Sequence, residues 1–254
     1  MDENRLERAA PVGESSSRVE MVKSALSAAD FSPSADDIVA RASHLVEAIG
    51  RWLASHDALY PDAAELGRRG WTIPVWLPTV AVRAIVQDTT PDTVDLWFVQ
   101  QYRRRWRRVE RRVLKDLVSL PLLSRWSPLL KECINAYDAK LYLVIVPALL
   151  AIYEGALAAA AGQLTVNKDV KRHISNLRSS TEKGLIGMAL VSVETLTAEL
   201  FRNHSFASPP TSRINRHLIM HGRALPASAE ADGLRLFQAL HTIGVVSRSL
   251  SAGA

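Results

Sequence analysis

Leu141-Tyr-Leu-Val-Ile-Val-Pro-Ala-Leu-Leu-Ala-Ile-Tyr-Glu-Gly-Ala-Leu-Ala-Ala-Ala-Ala161 decides how the chain is read. The run is almost free of polar side chains and about long enough to cross a bilayer. It is also what the central helix of a helical bundle looks like. Three residues favour the bundle. Pro147 removes a backbone amide and bends a helix, and an ionised Glu154 in mid-span would be costly in lipid. Gly155 follows it directly. No second run of this kind occurs, so the expectation is a buried bundle helix, with no membrane partner.

The rest of the composition agrees. With 254 residues, 48% of them hydrophobic, the chain can bury one or two cores. Alanine and leucine dominate and β-branched runs are short, which favours an all-α protein. A single Cys133 excludes a disulfide framework and a thiolate metal cluster. A reducing cytoplasm is expected, because Met1-Asp-Glu-Asn-Arg lacks the charged-then-apolar pattern of a secretory signal.

Residues 1–29 mix charges with Ser, Ala and Gly and are expected to form a flexible or loosely packed arm. Residues 30–118 read as an accessory helical region and 119–254 as the bundle itself. In the accessory region, Ser34-Ala-Asp-Asp37 is a capping-box-like start for a helix to about His56. A short helix over 62–69 ends at Gly70. Trp71-Thr-Ile-Pro-Val-Trp-Leu-Pro78 is a loop whose tryptophans either pack or offer a platform for stacking bases. Thr90-Pro91 opens another helix.

In the bundle, Ser127-Pro128 precedes a helix bearing Leu130, Cys133 and Tyr137. Its very short connection to the apolar run makes the two helices antiparallel neighbours. Residues 165–180 are polar and basic, a rim helix or a lid. Residues 185–201 and 228–250 are helical by spacing, the last with Leu234, Phe237, Leu240, Ile243 and Val246 on one face. The expected architecture is an antiparallel helical bundle with an N-terminal accessory helical region.

Tyr102-Arg-Arg-Arg-Trp-Arg-Arg-Val-Glu-Arg-Arg112 places seven arginines within ten residues, with almost no acidic residues beside them. On a helix the arginine stems either shield neighbouring apolar surface or form a rail for a nucleic-acid backbone. Arg104, Arg107, Arg108 and Arg111 are the candidate RNA contacts. The formal net charge of +5 permits a polyanionic partner.

The chemistry concentrates in Arg213-Ile-Asn-Arg-His-Leu-Ile-Met-His-Gly222. Pro209 and Pro210 stop what precedes it. Thr211 or Ser212 is expected to cap a helix of about two to three turns that leaves through a left-handed Gly222. His217 and His221 are four apart and share a face. They are plain surface residues, or a proton-transfer pair. A metal site would need more ligands than the sequence places near them, so no metal and no cofactor are expected. A guanidinium forks onto phosphate oxygens and an imidazole moves protons near neutral pH. Together these groups suffice to cleave a phosphodiester without a metal. Arg213, one turn before His217, adds a phosphate contact or is simply solvated.

Arg216-His217-Leu218-Ile219-Met220-His221 resembles the Arg-x4-His signature of the HEPN ribonuclease superfamily, and Asn215 through Gly222 is similar to the form found in bacterial HEPN-like proteins. Ala136-Tyr137-Asp138 and Tyr153-Glu154-Gly155 resemble the preceding helices of that group. The likeness spans roughly residues 128–250. It implies a HEPN-like bundle and a metal-independent endoribonuclease in which the ribose 2′-OH attacks the adjacent phosphorus. His221 would act as general base or acid, and Arg216 would stabilise charge on the phosphorane oxygens. His217 would orient the phosphate or carry the second proton. Asn215 and Glu154 would support them, Glu154 by holding Arg216 unless it is an inert bundle residue. The resemblance further implies RNA as substrate and a homodimer apposing two motifs. Its usual setting is toxin–antitoxin or antiviral defence, with an antitoxin or defence-system partner protein. The alternatives are a non-catalytic RNA or nucleotide sensor and a protein-interaction scaffold. The motif side chains are expected at a cleft or at the surface, where truncation leaves stability near that of the wild type.

Overall fold

The computed structural model describes residues 59–74, 77, 79–88, 90–162, 168–180, 184–203, 214–227 and 229–252. The expected arm over 1–29, the helix to about His56 and the phosphate contact of Arg213 lie outside the described residues.

Among the described residues the fold is all-α, without a strand. The helices are α1 (Tyr60–Arg68), α2 (Thr79–Asp88), α3 (Pro91–Ser119), α4 (Ser127–Asp138), α5 (Tyr142–Ala160), α6 (Lys168–Ser180), α7 (Leu185–Leu200), α8 (Arg216–Met220) and α9 (Ala229–Ala252). A 3-10 segment, Pro121–Trp126, joins α3 to α4. The long α3 begins where Thr90-Pro91 predicts. The Thr90 side chain accepts from the Thr93 amide, and the Thr93 hydroxyl returns a bond to the Thr90 backbone, so two orphan donors are satisfied at once.

Helix ends are closed by local chemistry. Gly70, Gly162 and Gly222 all lie in the left-handed region, at φ 92, 65 and 65, which a residue without Cβ adopts at no steric cost. The end of α4 is different. Its two capping bonds, Lys140 N–H to Tyr137 O at 2.9 Å and Leu141 N–H to Ala136 O at 2.8 Å, form the same six-to-one, five-to-two pattern. A lysine, Lys140 at φ 60, occupies the glycine position there. That costs roughly 1–2 kcal/mol.

Helix α9 is the axis of the bundle. Every residue from 231 to 244 is buried, a departure from the one-faced helix that the spacing predicts. Helices α3, α5 and α7 all pack on it. The polar residues on its second face are paired rather than solvated. Arg235 bridges Asp232 and Asp95, and its guanidinium lies 5.5 Å from the Trp71 ring. Tyr102 donates to Gln238 Oε1 at 2.8 Å, and Gln238 donates in turn to the Thr72 carbonyl. The Thr242 and Thr72 hydroxyls meet at 2.9 Å. The Ile73 amide donates to Ser192 Oγ on α7 at 3.0 Å. An extended segment can therefore run through the interior with its backbone groups satisfied.

This network settles the reading of Trp71. The ring is fully buried, stacks on Phe98 at 4.2 Å and donates from Nε1 to Asp95. It is a core residue and not a platform for bases. The network also bears on domain organisation. Residues 51–254 form one compact unit, and one hydrophobic core runs from Leu59 to Ile243. No break in packing falls at 118/119. Helix α1 packs along α7, and α3 along α9, so the helices read as accessory share the bundle's core.

Helix α5 is the only described helix long and apolar enough to cross a membrane, and half of its apolar window is buried in the fold. It packs on α9 and α4, contacts α8, and carries Pro147 within it. Gly155 is required by packing, since a Cβ there would lie 2.6 Å from the Trp126 ring. Tyr153 bonds Thr197 on α7 at 2.9 Å.

Candidate functional site

The motif helix is shorter than its spacing predicts. Helix α8 is a single turn, and its N-cap is Asn215 rather than Thr211 or Ser212. The Asn215 side chain accepts from the Leu218 amide at 3.1 Å and donates to the Arg202 carbonyl at 3.0 Å, which ties the turn to the end of α7. Two hydrogen bonds from one buried amide leave the chain little freedom to extend the helix upstream. Ile214, Leu218 and Ile219 anchor the turn in the core. At the other end Gly222 donates to Ile219 O and Arg223 to Leu218 O, closing the left-handed exit that the sequence predicts. His221 is therefore the C-cap and not a helical residue.

This geometry sets the chemistry of the site. Arg216 is half-buried and turns toward α5, where its Nε and Nη2 donate to Glu154 Oε2 at 3.0 and 2.6 Å. Its guanidinium carbon also lies 5.9 Å from the Phe201 ring. Of the two roles open to Glu154, the structure has the carboxylate holding Arg216. The imidazoles of His217 and His221 meet edge to face, ring centres 4.7 Å apart. His217 is half-buried and His221 exposed. Arg216, His217, His221, Asn215 and Glu154 thus lie at one corner between α5, α7 and α8, with an anchored cation beside two imidazoles in edge contact.

One expectation changes. Arg216 cannot be truncated without consequence, because the Glu154 carboxylate, with 21% of its side chain exposed, would lose its partner. Leaving a partly buried charge unpaired is destabilising, so Arg216→Ala is expected to lower stability.

Arg103, the first residue of the arginine run, does not join this corner. Arg103 lies on α3 with its guanidinium forked onto Glu230 of α9, so the first member of the proposed rail has an acidic partner from far along the chain. Arg104 is exposed. The backbone over 105–114 is helical, and the side chains of Arg107, Arg108 and Arg111 lie outside what the structure describes. Among the described residues, no group of three or more His, Cys, Asp or Glu is placed to hold a metal ion.

Elsewhere among the described residues, cavities stand apart from the motif. An apolar one of about 290 Å³ lies among α5, α6, α7 and α9, with Leu157, Ile174, Leu190 and Val246 in its walls. A polar one of about 530 Å³ lies beside the α4–α5 turn, lined by Arg103, Tyr137, Asp138, Lys140, Tyr142 and Glu230. Sequence reasoning singled out Tyr137 and Asp138 but not Lys140 or Tyr142. Lysine in a helix-closing position where glycine is usual was the available signal.

No protein-family model, curated protein or solved structure matches the chain.

Proposed function

We propose that the protein is a metal-independent endoribonuclease of HEPN type. It would act on RNA as a homodimer, in a toxin–antitoxin or antiviral-defence setting with an antitoxin or defence-system partner. One observation carries this reading: a single capped turn presents a carboxylate-anchored guanidinium beside two imidazoles in edge contact. In the proposed reaction one imidazole takes the proton of a ribose 2′-OH as its oxygen attacks the adjacent phosphorus. The P–O5′ bond breaks, and a protonated imidazole supplies the proton to the departing 5′ oxygen. A 2′,3′-cyclic phosphate and a 5′-OH result. Arg216 would stabilise the charge that builds on the phosphorane, which is the largest contribution such a site can make. Glu154 would fix its orientation.

The Glu154–Arg216 pair also favours a second reading. A guanidinium occupied by an internal anion is what a structural latch looks like, and a non-catalytic RNA or nucleotide sensor or a protein-interaction scaffold would use it so.

End-labelled RNA incubated with the full chain in EDTA separates these. Cleavage leaving cyclic phosphate ends is expected, falling about 10²–10⁴-fold in His221→Ala at unchanged thermal stability. Normal cleavage by His221→Ala, or a requirement for a divalent ion, would remove the ribonuclease reading. RNA retention without cleavage by either protein would support the sensor, and no retention the scaffold.

A further inference from the structure

The polar cavity beside the α4–α5 turn lies on the opposite end of α5 from the Arg216 corner, since Tyr142 and Glu154 are about 18 Å apart along a helix rising 1.5 Å per residue. Its walls combine two kinds of chemistry. The aromatic wall is Tyr137 and Tyr142, ring centres 5.1 Å apart and tilted at 52°. Tyr137 is buried, stands edge-on to Phe237 and has its hydroxyl 3.4 Å from Glu230. Tyr142 is half-buried and presents the accessible ring. The charged wall is Arg103, Lys140, Asp138 and Glu230. Glu230 is spoken for, because Arg103 forks onto it. That fork uses only part of a guanidinium's donor set, so Arg103 keeps donors for a further acceptor. Lys140 and Asp138 stand exposed on the rim.

Lys140 is the decisive residue. It holds φ 60 at a helix end where three other described ends have glycine. A side chain maintained in a backbone conformation that disfavours it points to a use for that side chain. Lys140 lines the same cavity as the half-buried Tyr142 ring. The volume, about 530 Å³, is that of a small-molecule site. Beyond Arg103, α3 continues through exposed Arg104 into the arginine run of residues 104–112.

We propose that this cavity binds one unpaired nucleotide of a single-stranded nucleic acid, its base on Tyr142 and its phosphate between Lys140 and Arg103. The flanking strand continues along the arginine-rich stretch of α3. Stacking on a tyrosine needs a base freed from its partner, so single strands bind and duplexes do not. The Asp138 carboxylate accepts from exocyclic amines, which selects adenine or cytosine over thymine or uracil. The site is independent of the motif chemistry and stands whether or not the chain cleaves RNA.

The test uses the full chain and fluorescein-labelled deoxyoligonucleotides ten nucleotides long, which lack the 2′-OH and are not cleaved by the proposed reaction. Anisotropy should show oligo-dA and oligo-dC binding more tightly than oligo-dT, and a duplex of equal length more weakly. Tyr142→Ala should weaken oligo-dA binding roughly tenfold, and Tyr142→Phe should retain it. Lys140→Gly should raise Tm by about 2–4 °C as the backbone strain is relieved while weakening binding several-fold. A purely structural lysine would not show that opposition of sign. Equal binding by Tyr142→Ala would overturn the proposal. So would equal binding of duplex and single strand, or a Lys140→Gly protein that gains stability at unchanged affinity. AMP competing at the strand's own affinity would overturn the strand as the ligand.

Discussion

At the scale of single residues, Asn215 and His241 carry consequences out of proportion to their size. Asn215 satisfies two backbone groups from one buried amide, capping α8 and holding the end of α7. Asn215→Ala is expected to lower stability by roughly 1–2 kcal/mol. Urea titration should show the loss as a lower midpoint at unchanged slope. His241 is buried on α9, and burial pushes its pKa below the ordinary 6.5; Asp116, 3.9 Å away, opposes the shift and Arg248 adds to it. A base with a depressed folded-state pKa is protonated first in the unfolded chain. Its contribution to stability is therefore complete above about pH 6.5 and is lost as pH falls from there toward the lower, folded-state value. Thermal melts between pH 7.5 and 5.5 should show Tm falling with acidification, and His241→Gln should remove that part of the slope.

At the scale of elements, close approach of helices rests on small residues. A Cβ at Gly67 of α1 would lie 2.7 Å from the Ser192 carbonyl oxygen and 2.8 Å from Thr195 on α7. Because the first of these is backbone, it cannot rotate away. Gly67→Ala is expected to cost about 1–3 kcal/mol by overpacking, against the small gain that alanine brings to an isolated helix. Circular dichroism should show helix content retained and the melting transition displaced downward. The motif helix makes the opposite point. Its single turn is too short to be stable alone, so its form depends on Asn215, Gly222 and the Arg216–Glu154 pair that connects it to α5.

At the scale of the molecule, the proposed HEPN-type bundle would begin near residue 128, but the packed unit does not. Helices α1 and α3 cover α7 and α9, and Trp71, Phe98 and Tyr102 stack within the shared core. A fragment of residues 119–254 would expose the apolar faces that these helices cover and leave Arg235 with one carboxylate of its two. It is expected to be insoluble or to lack a cooperative melting transition, where the full chain melts sharply. A soluble, cooperatively folding fragment would restore a domain boundary at 118/119.

The sequence by itself determined the elements whose signals are local. The Thr90-Pro91 start, the helix end at Gly70, the left-handed exit at Gly222, and the amphipathic or apolar periodicities of α4, α5 and α7 each depend on residues within a few positions of one another. The pairing of Glu154 with Arg216 was open in the sequence as one of two roles, since a carboxylate in an apolar run needs a partner. Tertiary structure decided the rest, because the deciding partners are remote. Asp95 with Arg235, Thr72 with Thr242, Arg103 with Glu230 and Tyr102 with Gln238 are each more than a hundred residues apart. No periodicity within a helix encodes which distant polar group will meet it. Hence α9 read as one-faced, the arginine run read as having almost no acidic neighbours, and Trp71 was left between packing and a platform for bases. In the fold α9, Arg103 and Trp71 are each completed by a side chain from elsewhere, and for the buried groups of α9 and Trp71 that completion is obligatory, since an unpaired polar group in the core costs more than its hydrogen bond returns.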